Sequence, residues 1–226
     1  VYTLLPQDSD LVDTTLFDHI ARSLEQDGYA VLPNALPGSL TDRLFADFKS
    51  LEADDLKPAG IGRQADFQHN PFVRRDRICW LRGESAASAE FLAWTERLRE
   101  ALNRRLFLGL FDYECHYATY PVGAFYKKHL DAFRGQSNRR LSTVLYLNPS
   151  WSPSDGGELV LYPPSDLEPL PVTEPLRVIV PEYGTLVIFL SEEFPHEVLP
   201  AHRPRHSIAG WFRVNTSSGV RLDPPR

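Results

Sequence analysis

The feature that most constrains this chain's fold is a change of period near residue 114. Before it lie helix-period stretches; after it, only short apolar runs broken by turn formers. Thr14 to Gln26 places Leu16, Phe17, Ile20 and Leu24 on one helical face, with Gly28 as a stop. Tyr29-Ala30-Val31-Leu32 reads as a short strand. Ser39 followed by Asp42 resembles a capping box and opens a second helix carrying Leu40, Leu44, Phe45, Phe48 and Leu51. Arg77 to Leu81 is a strand candidate. Ser88 to Leu106 is a third helix, with Phe91, Leu98 and Leu102 inward. From Glu114 the predicted strands are Glu114–Tyr120, Arg140–Leu147, Leu159–Tyr162, Leu176–Val180, Thr185–Leu190, Glu197–Leu199 and Ser207–Val214, with hairpin-type turns at Asp155-Gly156-Gly157 and Glu182-Tyr183-Gly184. Many short strands at regular spacing predict a sandwich or barrel, and the preceding helices are expected to cover one of its faces.

The 226 residues suit one domain, and no linker or repeat divides them. The reading is a single α+β domain: residues 1–113 as helical support with a mobile lid loop near 57–76, residues 114–215 as the β-sandwich core, and 216–226 as a tail. The lid expectation rests on lost periodicity, where Pro58 to Arg63 and His69 to Phe72 alternate flexible and stiff turn formers. No apolar run reaches the length of a membrane span, and Val1 to Asp10 lacks a signal-peptide pattern. Cys79 and Cys115 are too few for a disulfide framework or a thiolate metal site. A cytoplasmic, monomeric protein is expected.

The net charge of −6 is uneven. Residues 1–56 carry 3 basic and 11 acidic side chains, 57–140 carry 15 and 9, and 141–226 carry 6 and 10. A basic middle in an acidic chain is either a set of solvated faces or a recruitment surface for an acidic partner. Nucleic acid is disfavoured as a partner, because no reading motif accompanies the basic residues.

Of the seven histidines, His129 stands two residues before Asp131, so extended backbone projects both to one side. His196 follows 65 residues after Asp131, behind a strongly apolar strand. Two imidazoles and one carboxylate form the facial set of non-haem Fe(II) oxygenases, though His-x-Asp alone arises often by chance. Arg205, nine residues after His196, precedes another apolar strand. A guanidinium entering such a barrel needs an anion, either a bound carboxylate or an acid of its own chain.

At these residues the chain resembles the Fe(II)- and 2-oxoglutarate-dependent dioxygenases, and among them the prolyl hydroxylases related to the animal oxygen-sensing enzymes. The resemblance runs from about Gly28 to Val214. It is carried by Arg74 to Trp80, Tyr120-Pro121, Tyr126 to Asp131, Leu145 to Asn148, Gly156 to Leu159, Pro195 to Val198 and Arg205 to Trp211. It implies a double-stranded β-helix, or jelly roll, with His129, Asp131 and His196 as iron ligands. Arg205 would bind the distal carboxylate of 2-oxoglutarate with Tyr146 on the same group, and Tyr120 would stand beside the co-substrate. Trp80, Arg139 and Trp211 match positions around the target proline; core packing for the two Trp, and a solvated charge for Arg139, are the alternatives. Ala209 departs from the family, whose animal members carry Thr there. The implied reaction hydroxylates a prolyl residue of a protein, consumes O2 and releases succinate and CO2, with ascorbate as accessory reductant. Elongation factor Tu is the substrate that the bacterial relatives suggest. The alternatives are the same iron site acting on free proline, a collagen-like peptide or a nucleobase, and a β-sandwich binding module without catalysis.

Overall fold

The computed structural model describes residues 8–59, 74–132, 138–165 and 173–215. Most of the predicted lid and all of the predicted tail lie outside them. Three helices are present: α1 (Asp8–Asp27), α2 (Gly38–Lys49) and α3 (Ala86–Leu106). The strands are β1 (Tyr29–Leu32), β2 (Lys57–Pro58), β3 (Arg77–Trp80), β4 (Leu110–Tyr120), β5 (Tyr126–His129), β6 (Arg139–Tyr146), β7 (Leu159–Leu161), β8 (Arg177–Ile179), β9 (Leu186–Leu190), β10 (His196–Val198) and β11 (Arg205–Val214).

They form two antiparallel sheets. The larger has seven strands in the order β1-β9-β6-β11-β4-β3-β2, and the smaller has four in the order β5-β10-β7-β8. From β4 onward the chain shuttles between them, with β4, β6, β9 and β11 in the larger sheet and β5, β7, β8 and β10 in the smaller. That alternation is the jelly roll that the resemblance implies, within the sandwich-or-barrel class that the short, evenly spaced strands predict. It also corrects the two turns. Asp155-Gly156-Gly157 and Glu182-Tyr183-Gly184 do not close hairpins; each carries the chain from one sheet to the other.

Period-two alternation sorts the larger sheet's side chains between two cores. Cys115 and Tyr117 of β4, Leu141 and Leu145 of β6, Leu186 and Ile188 of β9, and Ile208 and Phe212 of β11 face the helices and pack with Phe17, Ile20, Leu44, Phe91 and Leu102. Their neighbours Ala118, Tyr120, Tyr146, Val187 and Phe189 face the smaller sheet and pack with Leu159, Leu161, Ile179 and Val198. With both faces covered, β9 has no polar residue at all.

The helix ends differ in kind. Ser85 caps α3, accepting from the Ser88 amide while the Ser88 hydroxyl accepts from the Ser85 amide. The expected box at Ser39 and Asp42 is absent: Pro37 occupies the cap position without a side-chain bond. Asp42 instead accepts from the Tyr183 hydroxyl at 2.7 Å. Gly28 ends α1 in the left-handed region (φ 77°), where a Cβ would also meet the Phe194 ring at 2.7 Å.

Part of the uneven charge is absorbed within the fold. Arg97 and Arg105 of α3 pair with Asp13 and Asp18 of α1, Arg139 with Glu114, and Arg140 with Glu192. Arg97, Arg105 and Arg140 thus link the basic middle to acidic residues of both flanks, while Arg139 pairs within the middle itself. Arg213 and Asp112 form a buried pair near the end of β11. Arg213→Ala, which takes the guanidinium away from a buried carboxylate, is expected to cost about 3–5 kcal/mol in urea unfolding. Among the described residues no helix is long and apolar enough to cross a membrane.

Candidate active site

The pocket lies between the two sheets. Strand β4 sends His116, Ala118 and Tyr120 into it, and β11 sends Arg205, Ser207, Ala209 and Trp211. These rows run side by side, because Arg205 pairs with Tyr120, Ser207 with Ala118, and Ala209 with His116. One end of the pocket is thus cationic, and the other, about 20 Å away at ~3.3 Å per residue, is aromatic.

The smaller sheet supplies the facing wall. His129 ends β5, His196 begins β10, and the two residues are register partners. Asp131 follows β5 by two residues. One donor atom from each of the three lies within 4.8 Å of the others. His129 Nε2 is 3.5 Å from Asp131 Oδ1, and His196 Nε2 is 3.6 Å from Asp131 Oδ2. Each imidazole bonds a backbone carbonyl two residues earlier through Nδ1, His129 to Lys127 at 2.7 Å and His196 to Phe194 at 3.0 Å. A donating Nδ1–H leaves the Nε2 lone pair free for a cation.

The Asp131 carboxylate is held from behind. Oδ2 accepts from Ser142 Oγ at 2.7 Å and from Trp211 Nε1 at 2.9 Å, and Ser142 is bonded in turn to Ser191 at 2.9 Å. Burial opposes its charge, but the two imidazoles and Arg139 outweigh that and hold the carboxyl well below its usual range. Burial, together with His129, lowers His196 to about 4. Two imidazoles and one carboxylate, converging with their outer atoms already bonded, match a divalent metal that takes nitrogen and oxygen ligands.

Arg205 is 2% exposed and makes no salt bridge among the described residues. Its Nε and the Tyr146 hydroxyl are buried without a hydrogen bond of standard geometry. The guanidinium carbon lies 5.1 Å from the Tyr120 ring centre and 5.0 Å from that of Tyr146. A buried guanidinium of this kind is costly unless an anion is bound to it. The alternative of an acid from its own chain finds no support among the described residues.

Seven of the nine residues singled out from the sequence line one pocket: His129, Asp131, His196, Arg205, Tyr120, Arg139 and Trp211. Tyr146 stands beside Arg205, outside the lining. Trp80 is 39% exposed and rests edge-on against His116. Arg139 is no solvated charge; it pairs with Glu114 at 3.0 Å and stacks on Trp211 at 3.5 Å. Among the lining residues that sequence reasoning did not single out, four make polar or ring contacts that shape the pocket. Arg74 and Asp76 form a two-bond ion pair at 2.7 and 2.6 Å, and Arg74 stacks on Tyr126, whose ring lies 3.6 Å from that of His129. His116 is the fourth. The available signal was period two in β4, which puts His116 on the face of Tyr120.

Burial pushes His116 and His206 down to about 4; Arg74 and Arg139 add to this at His116 while Asp76 opposes it, and Arg203 and Arg205 add to it at His206. A histidine depressed in the folded state stabilises the fold fully above its unfolded value of ~6.5, and that contribution is lost as pH falls towards the folded value. The melting temperature of the metal-free protein is expected to fall between about pH 6.5 and 4, and His206→Phe should flatten part of that slope.

Comparison with known proteins agrees with this geometry. Residues 115–213 match the model of the 2OG-Fe(II) oxygenase superfamily. A crystal structure of a Pseudomonas putida prolyl-4-hydroxylase is 40% identical, covering 88% of this chain and 98% of that one, with a TM-score of 0.76. A prolyl hydroxylase from Trichoplax adhaerens, solved with a hypoxia-inducible factor peptide fragment, shares the fold at 24% identity and a TM-score of 0.77, covering 92% of this chain and 94% of that one. The hypoxia-inducible factor prolyl hydroxylase of Caenorhabditis elegans is 27% identical over 86% of this chain, which spans 28% of that protein's length. The family's reaction takes Fe(II), 2-oxoglutarate and O2, and a cation-sized cluster of two imidazoles and a carboxylate opposite a buried guanidinium fits those groups. The chain belongs to the 2OG-Fe(II) oxygenase superfamily.

Proposed function

We propose that the protein is a prolyl hydroxylase acting on a proline within a protein, with His129, Asp131 and His196 as iron ligands and Arg205 as the 2-oxoglutarate anchor. The observation that carries this is the convergence of the three donors within 4.8 Å in the pocket that also holds the buried Arg205. The 40% identity to a prolyl-4-hydroxylase over nearly its whole length supports the prolyl substrate. Iron, when bound, supplies the O2 activation that couples decarboxylation of 2-oxoglutarate to C–H oxidation.

The chain's own groups bind and orient. The three ligands leave part of the coordination sphere open. Arg205, assisted by the Tyr146 hydroxyl, fixes the far carboxylate and so sets which end of the co-substrate faces the metal. Tyr120 walls the same end, and burial holds its phenol well above the usual value, so it stays neutral there. Trp211 does two things: its N–H positions Asp131, and its ring carries Arg139. The Trp80 and Trp211 rings offer flat apolar surface to a pyrrolidine, which has no polar group by which it could be chosen.

Elongation factor Tu is the first protein substrate to try, on the strength of the sequence resemblance. Arg97, Arg105 and Arg139 of the basic middle are held in internal ion pairs, which leaves recruitment of an acidic partner to the other basic residues of that stretch. Incubation with Fe(II), 2-oxoglutarate and ascorbate should add one oxygen to one proline of elongation factor Tu, read by peptide mass spectrometry. Oxidation of free proline or a collagen-like peptide instead, with elongation factor Tu untouched, would move the substrate assignment to that class.

A further inference from the structure

His116 is a lining group of the pocket whose polarity the reaction leaves unused. It is 3% exposed, on the face of β4 that carries Ala118 and Tyr120. Its Nδ1 lies 3.2 Å from the Tyr117 carbonyl, and its Nε2 has no hydrogen-bond partner among the described residues. A proton on Nδ1 makes Nε2 an acceptor. Two tryptophans hold the ring, Trp80 edge-on at 5.2 Å and Trp211 tilted at 5.5 Å. Facing the pocket, that acceptor is placed to take a hydrogen bond from a bound ligand that donates.

The co-substrate cannot be that ligand. 2-Oxoglutarate carries only acceptor oxygens, and its anchor Arg205 lies at the far end of the β4–β11 rows, beside Tyr120 rather than beside His116. The prolyl ring brings no donor either, because a proline within a chain has neither a side-chain donor nor an amide hydrogen. The nearest N–H to a bound prolyl ring belongs to the residue that follows it. His116 sits between Trp80 and Trp211, the two rings that the proposed function sets against the target proline.

We propose that His116 is a specificity-determining residue whose Nε2 accepts a hydrogen bond from the backbone N–H of the residue after the target proline. The pocket thereby reads a prolyl residue in a chain, joined to a following residue, and discriminates against free proline and against a proline at a C-terminus. This rests on the prolyl hydroxylase reading and deepens it.

The test uses two synthetic peptides around a hydroxylated proline: one ordinary, and one with an ester in place of the amide after that proline. The wild type should prefer the amide by roughly tenfold in kcat/KM, the effect of one neutral hydrogen bond. His116→Leu should raise KM for the amide peptide by a similar factor and treat the two peptides alike. The KM for 2-oxoglutarate and the affinity for Mn(II) should not change. His116→Gln, which can restore an acceptor, should recover part of the preference and covers the case in which Leu fails to fold. Equal amide preference in the wild type and both variants overturns the proposal while leaving the prolyl hydroxylase reading intact. A wild-type protein that oxidises no prolyl peptide at all overturns that reading and this one with it.

Discussion

Asp131→Ala is expected to weaken Fe(II) or Mn(II) binding by well over ~100-fold and to remove turnover with it. Changes to groups that only support a metal ligand already cost about 10–100-fold, and this one removes the ligand. Asp131 brings the cluster's only negative charge, and without it two imidazoles would face a divalent cation alone. The variant also strands the Ser142 hydroxyl and the Trp211 indole N–H, both of which donate to Oδ2. Asp131→Asn separates these effects, since its amide oxygen can keep the two bonds while the charge is lost. Both variants should fail to bind metal in an anaerobic calorimetric titration, and Asn should melt closer to the wild type. His129→Ala and His196→Ala should give the same binding defect. A metal affinity that survives Asp131→Ala would mean that the ligands lie elsewhere.

Arg205→Ala should have the second largest effect, on a different quantity. Hydrogen bonds to charged groups contribute ~1.5–3 kcal/mol, and a guanidinium can make two to one carboxylate, so the KM for 2-oxoglutarate should rise by about 100-fold or more. Metal affinity should stay. Stability gives a second readout. Since Arg205 is buried without a salt bridge among the described residues, removing it takes away a desolvated charge rather than an ion pair. The ligand-free variant should melt no lower than the wild type, and the upward shift that 2-oxoglutarate gives the wild type should disappear. Arg205→Lys, a point charge without the planar fork, should recover only part of the affinity. A lower ligand-free melting temperature together with an unchanged 2-oxoglutarate shift would mean that Arg205 is paired inside the protein and is no anchor.

What the sequence revealed follows from which physical signals are local. Strand β9 is apolar from end to end and β11 carries the apolar run Ile208 to Phe212, so composition and length expose both, and the reading misses their ends by at most two residues. His129-Leu130-Asp131 is legible because two side chains two apart on extended backbone share a face. His196 and Arg205 needed the resemblance to join them, since the pairing of His196 with His129 across sequence-distant strands has no local mark. The turns at Gly156 and Gly184 were recognised as turns and misjudged as hairpins, because residue type fixes local conformation but says nothing of which sheet the next strand joins. The Ser39–Asp42 signal failed because Asp42 finds a distant partner in Tyr183, and a tertiary bond outweighs the local one. Charge is non-local in the same way: the pairing of Arg97 and Arg105 with acids of α1 becomes visible only once α1 is folded against α3. The partners of Asp131, namely Ser142 on β6 and Trp211 on β11, could be found only once the strands were assembled.

The most direct test of the whole account follows the fate of labelled oxygen. With the wild-type protein, Fe(II), 2-oxoglutarate, a substrate protein and ¹⁸O₂, mass spectrometry should find one labelled oxygen on a single proline and one in succinate, formed in equal amounts. His129→Ala, Asp131→Ala and His196→Ala should each abolish both products together. Labelled succinate without any oxidised proline would contradict the prolyl substrate, and undiminished products in the three variants would contradict the iron site on which the account is built.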